Sequence, residues 1–186
     1  YIATVMSTVN EPYEPNTYNQ AMKSREASKW RSAILEEYNS LHENQVLVPV
    51  KRTAGMNILG TRLVFKVKTD ENNCPTRWKV RLVAKGYDQR EGIGFHETYS
   101  PVARFNSMRT ILSLAAIHDL EIKQIDFKTA FLNAGLTEDI YVGIPPGYND
   151  ITGNPINEKT HCFKLNRALY GLKQSPLECD KMLHII

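Results

Sequence analysis

Residues 62–84 constrain the fold more than any other part of the chain. Arg62-Leu63-Val64-Phe65-Lys66-Val67-Lys68 ends on an apolar–basic alternation, and Asp70-Glu71-Asn72-Asn73-Cys74-Pro75 is rich in turn formers. Arg77-Trp78-Lys79-Val80-Arg81-Leu82-Val83-Ala84 then alternates again. A period of two marks a strand with unlike faces, and two such runs around a turn predict a hairpin. Lys66 and Lys68 share one face of the first strand. Arg77, Lys79 and Arg81 share one face of the second, which leaves Trp78, Val80 and Leu82 together on the other. The expectation is a two-stranded ribbon with one cationic and one apolar face.

The charge distribution agrees. The net charge is only +3, yet residues 51–90 hold ten Lys or Arg against three acids, a local excess of +7 that leaves −4 elsewhere. A basic island on a near-neutral protein fits a polyanion partner, either nucleic acid or nucleotide phosphates. It equally fits a solvated charged surface, and charge alone does not separate the two.

Around the ribbon the pattern alternates between helix and strand. Residues 1–18, with Pro12, Pro15 and several Asn and Thr, read as an extended lead-in. A helix is expected from Ser28 as N-cap, with Trp30, Ile34, Leu35, Tyr38 and Leu41 on one stripe and Lys29, Arg31, Glu36 and Glu37 off it; Pro49 bounds the region that follows. Gly86, Gly92, Gly94 and Pro101 mark an irregular loop. A second helix is expected from Ser107, with Met108, Ile111, Leu112, Ala115 and Ala116 at helical spacing. Ile122–Phe127 reads as a short strand and 129–132 as a helical turn. A long loop is expected from Pro145 to Lys159, then a strand at Phe163–Leu165, a turn at Tyr170-Gly171 and a helix opened by Ser175-Pro176.

Several classes are excluded or disfavoured. No apolar run approaches the ~20 residues of a membrane helix, and residues 1–10 carry no basic signal-peptide region. Cys74, Cys162 and Cys179 are far apart and show no CxxC spacing, which speaks against zinc and a disulfide framework. His161 and Cys162 are neighbours in a strand and point to opposite faces. The first residue is Tyr, so the chain reads as a piece of a longer open reading frame.

Asp126, in Gln124-Ile125-Asp126-Phe127-Lys128-Thr129-Ala130-Phe131, is the pivotal acid. A carboxylate ending an apolar strand before a turn can ligate a metal or cap the turn, and a Mg²⁺ site draws on further oxygens. The residues alone leave both open.

Four segments resemble a known family. They are Arg81-Leu82-Val83-Ala84-Lys85-Gly86-Tyr87, Glu97-Thr98-Tyr99-Ser100-Pro101-Val102-Ala103-Arg104, Ile125-Asp126-Phe127-Lys128-Thr129-Ala130-Phe131-Leu132-Asn133 and Leu169-Tyr170-Gly171-Leu172-Lys173-Gln174-Ser175-Pro176. In order and spacing they closely resemble the reverse transcriptase of Ty1/copia retrotransposons, from about Pro15 to Met182. The resemblance implies an α+β right-hand polymerase: fingers and the first half of the palm over 19–182, palm motifs at about 105–182, and a truncated end at 183–186. It implies copying of RNA into DNA, with RNA template, DNA primer, deoxynucleoside triphosphates and the rest of a Pol polyprotein as partners. For a chain that is part of an active element the implied setting is a cytoplasmic virus-like particle; otherwise the setting is open, and no membrane is implied.

The resemblance also assigns residues. Asp126 matches the first catalytic, metal-binding carboxylate, and the backbone carbonyl of Phe127 another metal oxygen, for two Mg²⁺ ions. Phe131 matches the aromatic that blocks a ribose 2′-hydroxyl, although core packing also explains it. Arg81 and Lys68 match triphosphate contacts, and Tyr170 and Gly171 the turn lining the nucleotide pocket. Lys66, Lys79 and Lys173 are expected at nucleic acid. Leu63, Gly94, Ala134, Leu177, Cys179 and Asp180 depart from the family pattern. The Tyr-Val-Asp-Asp segment that carries the remaining carboxylates falls beyond Ile186, so the 186 residues by themselves are expected to be inactive. The alternative is a non-catalytic remnant that grips nucleic acid through the ribbon.

Overall fold

The alternation at 62–84 folds as its pattern requires. In the computed structural model, which describes residues 13–90, 92, 94–100, 103–124 and 129–184, Thr61–Thr69 and Pro75–Ala84 are antiparallel strands of a separate two-stranded sheet. The turn between them is built on Asp70, whose Oδ1 accepts from the backbone N–H of Asn72 and of Cys74, while Asn73 takes a left-handed φ of 59°. Asn is among the few side-chain-bearing residues that adopt this readily. Leu63 faces Leu82 and Phe65 faces Val80, all buried. On the other face Lys66 stands opposite Lys79, and Lys68 opposite Arg77. The ribbon therefore has the two unlike faces expected of it.

In chain order the elements are α1 (Tyr18–Lys23), α2 (Ala27–Glu43), β1 (Leu47–Lys51), β2 (Ile58–Leu59), β3 (Thr61–Thr69), β4 (Pro75–Ala84), α3 (Phe105–Ile117), α4 (Ala130–Asn133), β5 (Gly135–Val142), α5 (Tyr148–Thr152), β6 (His161–Arg167) and α6 (Ser175–Leu183). The second sheet runs β1-β6-β5-β2. Its β1–β6 and β5–β6 pairs are antiparallel and its β2–β5 pair is parallel. The protein is a mixed α+β structure, as expected.

Helix α2 covers the apolar face of the ribbon. Trp30, Ala33, Ile34, Tyr38 and Leu41 are buried, and the Trp30 ring meets Phe65 edge-on at 5.3 Å. Truncating an aromatic so placed costs about 3–5 kcal/mol. Leu35, expected on this stripe, is 39% exposed, because it sits about 100° round the helix from Ile34. The helix begins before the expected cap. Ser28 lies inside it, and the Glu26 carbonyl accepts from the N–H groups of Lys29 and Trp30. At the far end Tyr38 donates to the Pro146 carbonyl at 2.8 Å, and His42 Nε2 lies 2.6 Å from the Tyr148 hydroxyl.

Other expectations need correction. Pro49 lies inside β1 rather than bounding it. β1 is an edge strand, where a residue without an N–H is tolerated. The loop expected at 145–159 contains α5, which is framed by left-handed Gly147 and Gly153. A Cβ on Gly147 would collide with the Tyr18 ring. Residues 135–142, where the sequence suggests only the solvated acids Glu138 and Asp139 after a turn at Asn133–Gly135, form β5; Asp139 is exposed on it and ion-paired with Lys164 at 2.6 Å.

Helix α3 starts at Phe105 rather than after Ser107, and its apolar stripe is uncovered. Ala115 is buried, whereas Met108, Ile111 and Leu112 are 49%, 65% and 48% exposed. Ile122–Gln124 are not in a strand. The remainder of that expected strand, Ile125, Asp126 and Phe127, lies outside the described residues.

Candidate functional site

A cavity of about 610 Å³ opens between β4, α2 and the start of α4; Lys79, Arg81, Phe131, Tyr170, Glu37 and Thr129 are among its lining residues. This is the size range of small-molecule pockets. Three segments distant in sequence converge on it. The guanidinium carbon of Arg81 lies 5.0 Å from the centre of the Tyr170 ring, and Phe131 meets the same ring edge-on at 5.2 Å. A cation over an aromatic face is attracted by the ring quadrupole, which holds a long flexible side chain in one place.

The electrostatics are those of an anion site, with Arg77, Lys79 and Arg81 in its wall. Lys79 lies between Arg77 and Arg81 on one strand face. Burial first, then Arg81 and Arg77, press its ammonium below the usual lysine range. Glu37 is the half-buried acid of the cavity, and its carboxylate accepts from the backbone N–H of Leu82 at 2.9 Å. Burial raises the Glu37 carboxyl above its usual range, against the opposing pull of the Leu82 N–H, Arg81 and Lys79. By helical spacing Glu37 lies merely off the buried stripe. Nothing local to residues 36–38 marks a carboxylate that meets a strand far away in the chain.

The Tyr170-Gly171 turn is fixed against the end of β4. Tyr170 accepts at its carbonyl from the Ala84 N–H at 2.8 Å. Gly171 has φ 88°, and a Cβ on it would collide with the Ala84 carbonyl; one on Gly86 would collide with the Gly171 carbonyl. Only glycine combines that φ with so close a backbone approach. Behind the turn, Gln89 and Gln174 form a buried amide pair. Gln89 Nε2 donates to Gln174 Oε1, and both side chains donate to the Gly94 carbonyl, each at 2.9 Å. This network also went unseen in the sequence, where Gln174 was only part of a longer motif.

The remaining candidates are spread out. Lys68 stands outside the cavity on the exposed ribbon face, opposite Arg77. Lys66 is also on that face and pairs with Glu14 at 2.5 Å. The Lys173 ammonium donates to the Gln89 carbonyl at 3.3 Å and lies 4.5 Å from the centre of the Phe95 ring, turned toward the 89–95 loop. Thr129, just before α4, takes φ 53° and ψ 38°. A β-branched residue there is strained by about 1–3 kcal/mol, and such strain gathers at functional sites. Asp126 and Phe127, on which the two-Mg²⁺ expectation rests, lie outside the described residues. Among the described residues no three His, Cys, Asp or Glu side chains gather to hold a metal.

Comparison with known proteins gives the same direction. Residues 44–186 match the family described as "Reverse transcriptase (RNA-dependent DNA polymerase)". The chain is 40% identical over 176 residues to the "Retrovirus-related Pol polyprotein from transposon TNT 1-94" of Nicotiana tabacum, covering 95% of this chain and 13% of that one. It is 39% identical over 165 residues to the corresponding polyprotein from transposon RE1 of Arabidopsis thaliana, covering 88% and 11%. It is 29% identical over 174 residues to the "Transposon Ty1-ER2 Gag-Pol polyprotein" of Saccharomyces cerevisiae, covering 87% and 9%. The chain thus spans about a tenth of the length of these curated relatives. No solved structure matches.

Proposed function

The chain belongs to the reverse transcriptase family of Ty1/copia-type Pol polyproteins, and from that premise we propose that its cavity is the deoxynucleoside triphosphate pocket of an RNA-directed DNA polymerase. The observation that carries this reading is the convergence of Arg81, Lys79, Phe131 and Tyr170 on one cavity. A triphosphate needs fixed cations, and Arg supplies several donors in a rigid fork. A base and sugar need a flat apolar wall, which the paired rings of Phe131 and Tyr170 provide. In this reading Arg81 and Lys79 hold the phosphates and Phe131 stands where a ribose 2′-hydroxyl would go. The Tyr170-Gly171 turn backs the sugar.

The ribbon belongs to the fingers and the residues from about 105 onward to the palm. The partners are RNA template, DNA primer and the remainder of a Pol polyprotein, in a cytoplasmic particle. Asp126 and the Phe127 carbonyl are the oxygens this chain would offer to Mg²⁺, a hard cation that prefers oxygen. Bound Mg²⁺ would activate the primer 3′-hydroxyl and offset charge on the departing pyrophosphate. One assigned carboxylate cannot hold two such ions, so the 186 residues by themselves should not extend a primer. The same segment within an intact family polymerase should, and Asp126→Asn there should nearly abolish synthesis without unfolding the protein. Robust extension by the 186 residues alone, or full activity of the Asp126→Asn enzyme, would overturn the assignment.

A second reading has its own support. The exposed cations of β3 and β4 suit phosphate backbones without any chemistry. A non-catalytic remnant that binds nucleic acid would bind polyanions through the ribbon and leave triphosphate affinity indifferent to Phe131 and Tyr170.

A further inference from the structure

Triphosphate binding employs the cations of the cavity; of its two acids, Glu36 is ion-paired with Arg77 and Glu37 is left without a role. Glu37 is a carboxylate in the wall of a site meant for an anion. By charge alone it should weaken that site. Its geometry gives it another task. β4 pairs with β3 along one edge. On its other edge, the N–H of Leu82 donates to Glu37 at 2.9 Å. Leu82 immediately follows Arg81. A strand edge with an unsatisfied donor is free to shift or to recruit another chain. A carboxylate on that donor fixes the strand at the residue beside the one that reaches for phosphate. The ring of Tyr170 holds the tip of Arg81, so the side chain is fastened at both its root and its end.

We propose that Glu37 is a positioning residue: its acceptor clamps β4 at Leu82 and so sets Arg81 and Lys79 for phosphate, at the expense of an unfavourable charge. This rests on reading the cavity as the triphosphate site, and the two claims part company in their tests. The edge of β3 shows the same device, with Glu14 accepting from the Val67 N–H at 2.9 Å. Neither Glu14 nor Val67 lines the cavity, and that clamp serves as an internal comparison.

The test is calorimetric titration of the 186-residue chain with inorganic tripolyphosphate, comparing Glu37→Gln, Glu37→Met, Glu37→Ala and Arg81→Ala, with thermal melts of each. Coulomb's law alone predicts tighter binding in every Glu37 variant, since each removes a negative charge. Positioning predicts a different order. Glu37→Gln keeps an acceptor and should bind at least as tightly as the native chain. Glu37→Met keeps the packed stem without an acceptor and should bind about five-fold more weakly, the loss of roughly one net hydrogen bond. Glu37→Ala should do the same, and Met stands in for it if Ala fails to fold. Amide exchange adds a direct reading: the Leu82 N–H should be protected in the native and Gln chains and exposed in the Met chain. Weaker binding by Arg81→Ala together with equal or tighter binding by Glu37→Met would sink the inference and leave the pocket standing. Unchanged binding by Arg81→Ala would remove the pocket reading, and this inference with it.

Discussion

Arg81 lies over the face of Tyr170, its guanidinium carbon 5.0 Å from the ring centre. The contact joins the ribbon to the turn before α6, so a change in either should be felt at the cavity. Tyr170→Phe keeps the ring, while Tyr170→Ala removes it. A cation–π contact of this kind is worth about 0.5–1 kcal/mol. Tyr170→Ala should therefore weaken deoxynucleoside triphosphate binding roughly two- to five-fold in a titration, and Tyr170→Phe should leave it unchanged. Equal losses in both variants would point to the hydroxyl instead.

The exposed ribbon face should carry the affinity for nucleic acid. Such binding is dominated by phosphate neutralisation and shows little preference for sequence. Replacing Lys68, Lys79 and Arg81 together with Ala should weaken binding to all sequences alike. On duplex DNA the dependence of log affinity on log salt should flatten by about 2–3, close to one unit for each phosphate no longer neutralised. An unchanged slope would move the binding surface elsewhere.

Phe131 makes a narrower prediction. Its ring lines the cavity and braces Tyr170, so core packing and sugar discrimination are both open to it. In an intact family polymerase carrying this segment, Phe131→Ala should increase ribonucleotide incorporation relative to deoxynucleotide. Phe131→Tyr should not. Primer extension with each nucleotide separates the two roles, because a purely structural ring would lower both rates together.

The docking of α1 should depend on pH at both ends of the range. The Tyr18 hydroxyl and Arg31 hold Asp150 below the usual aspartate range. A carboxylate with a depressed folded pKa contributes stability above its unfolded value, here 3.8, and loses it as pH falls through the folded one. Burial and the Asp150 hydrogen bond push Tyr18 up from 10.0 to about 12, so its contribution holds below 10.0 and is lost as pH rises toward 12. Asp150→Asn should lower the urea midpoint at pH 6, and the gap to the native chain should narrow as pH falls below 3.8. A gap of the same size at every pH down to the acid limit of folding would mean that Asp150 acts without its charge.

The sequence disclosed the ribbon because both strands alternate sharply and Asp70–Pro75 can only turn. It disclosed α2 and α3 through spacing, but not their partners. Leu35 and Ile34 look alike in sequence, and only the direction of approach of β4 decides which is buried. The stripe on α3 was legible as apolar, yet Met108, Ile111 and Leu112 stay exposed. β1 and β5 were hidden by Pro49 and by the acids Glu138 and Asp139, residues that an edge position and an exposed face accommodate. Within the cavity, Arg81, Phe131 and Tyr170 could be named from motifs. Glu37 and Thr129 could not, nor could Gln89 behind the Tyr170-Gly171 turn, because their roles come from tertiary encounters or backbone strain that no local pattern records.

The facing pairs Lys66–Lys79 and Lys68–Arg77 set like charges directly across the ribbon, an arrangement that destabilises a sheet. Glu14 and Glu36 each offset one cation of a pair, and the remaining repulsion is built into the unliganded hairpin. Dissolved salt then acts on this one surface with two opposite signs. Added ions screen the repulsion and tighten the empty ribbon, while the same ions loosen its hold on a polyanion. A bound phosphate chain would do locally what bulk salt does diffusely. The hairpin would be most cohesive when loaded, and occupancy itself would stiffen the strand that carries Arg81.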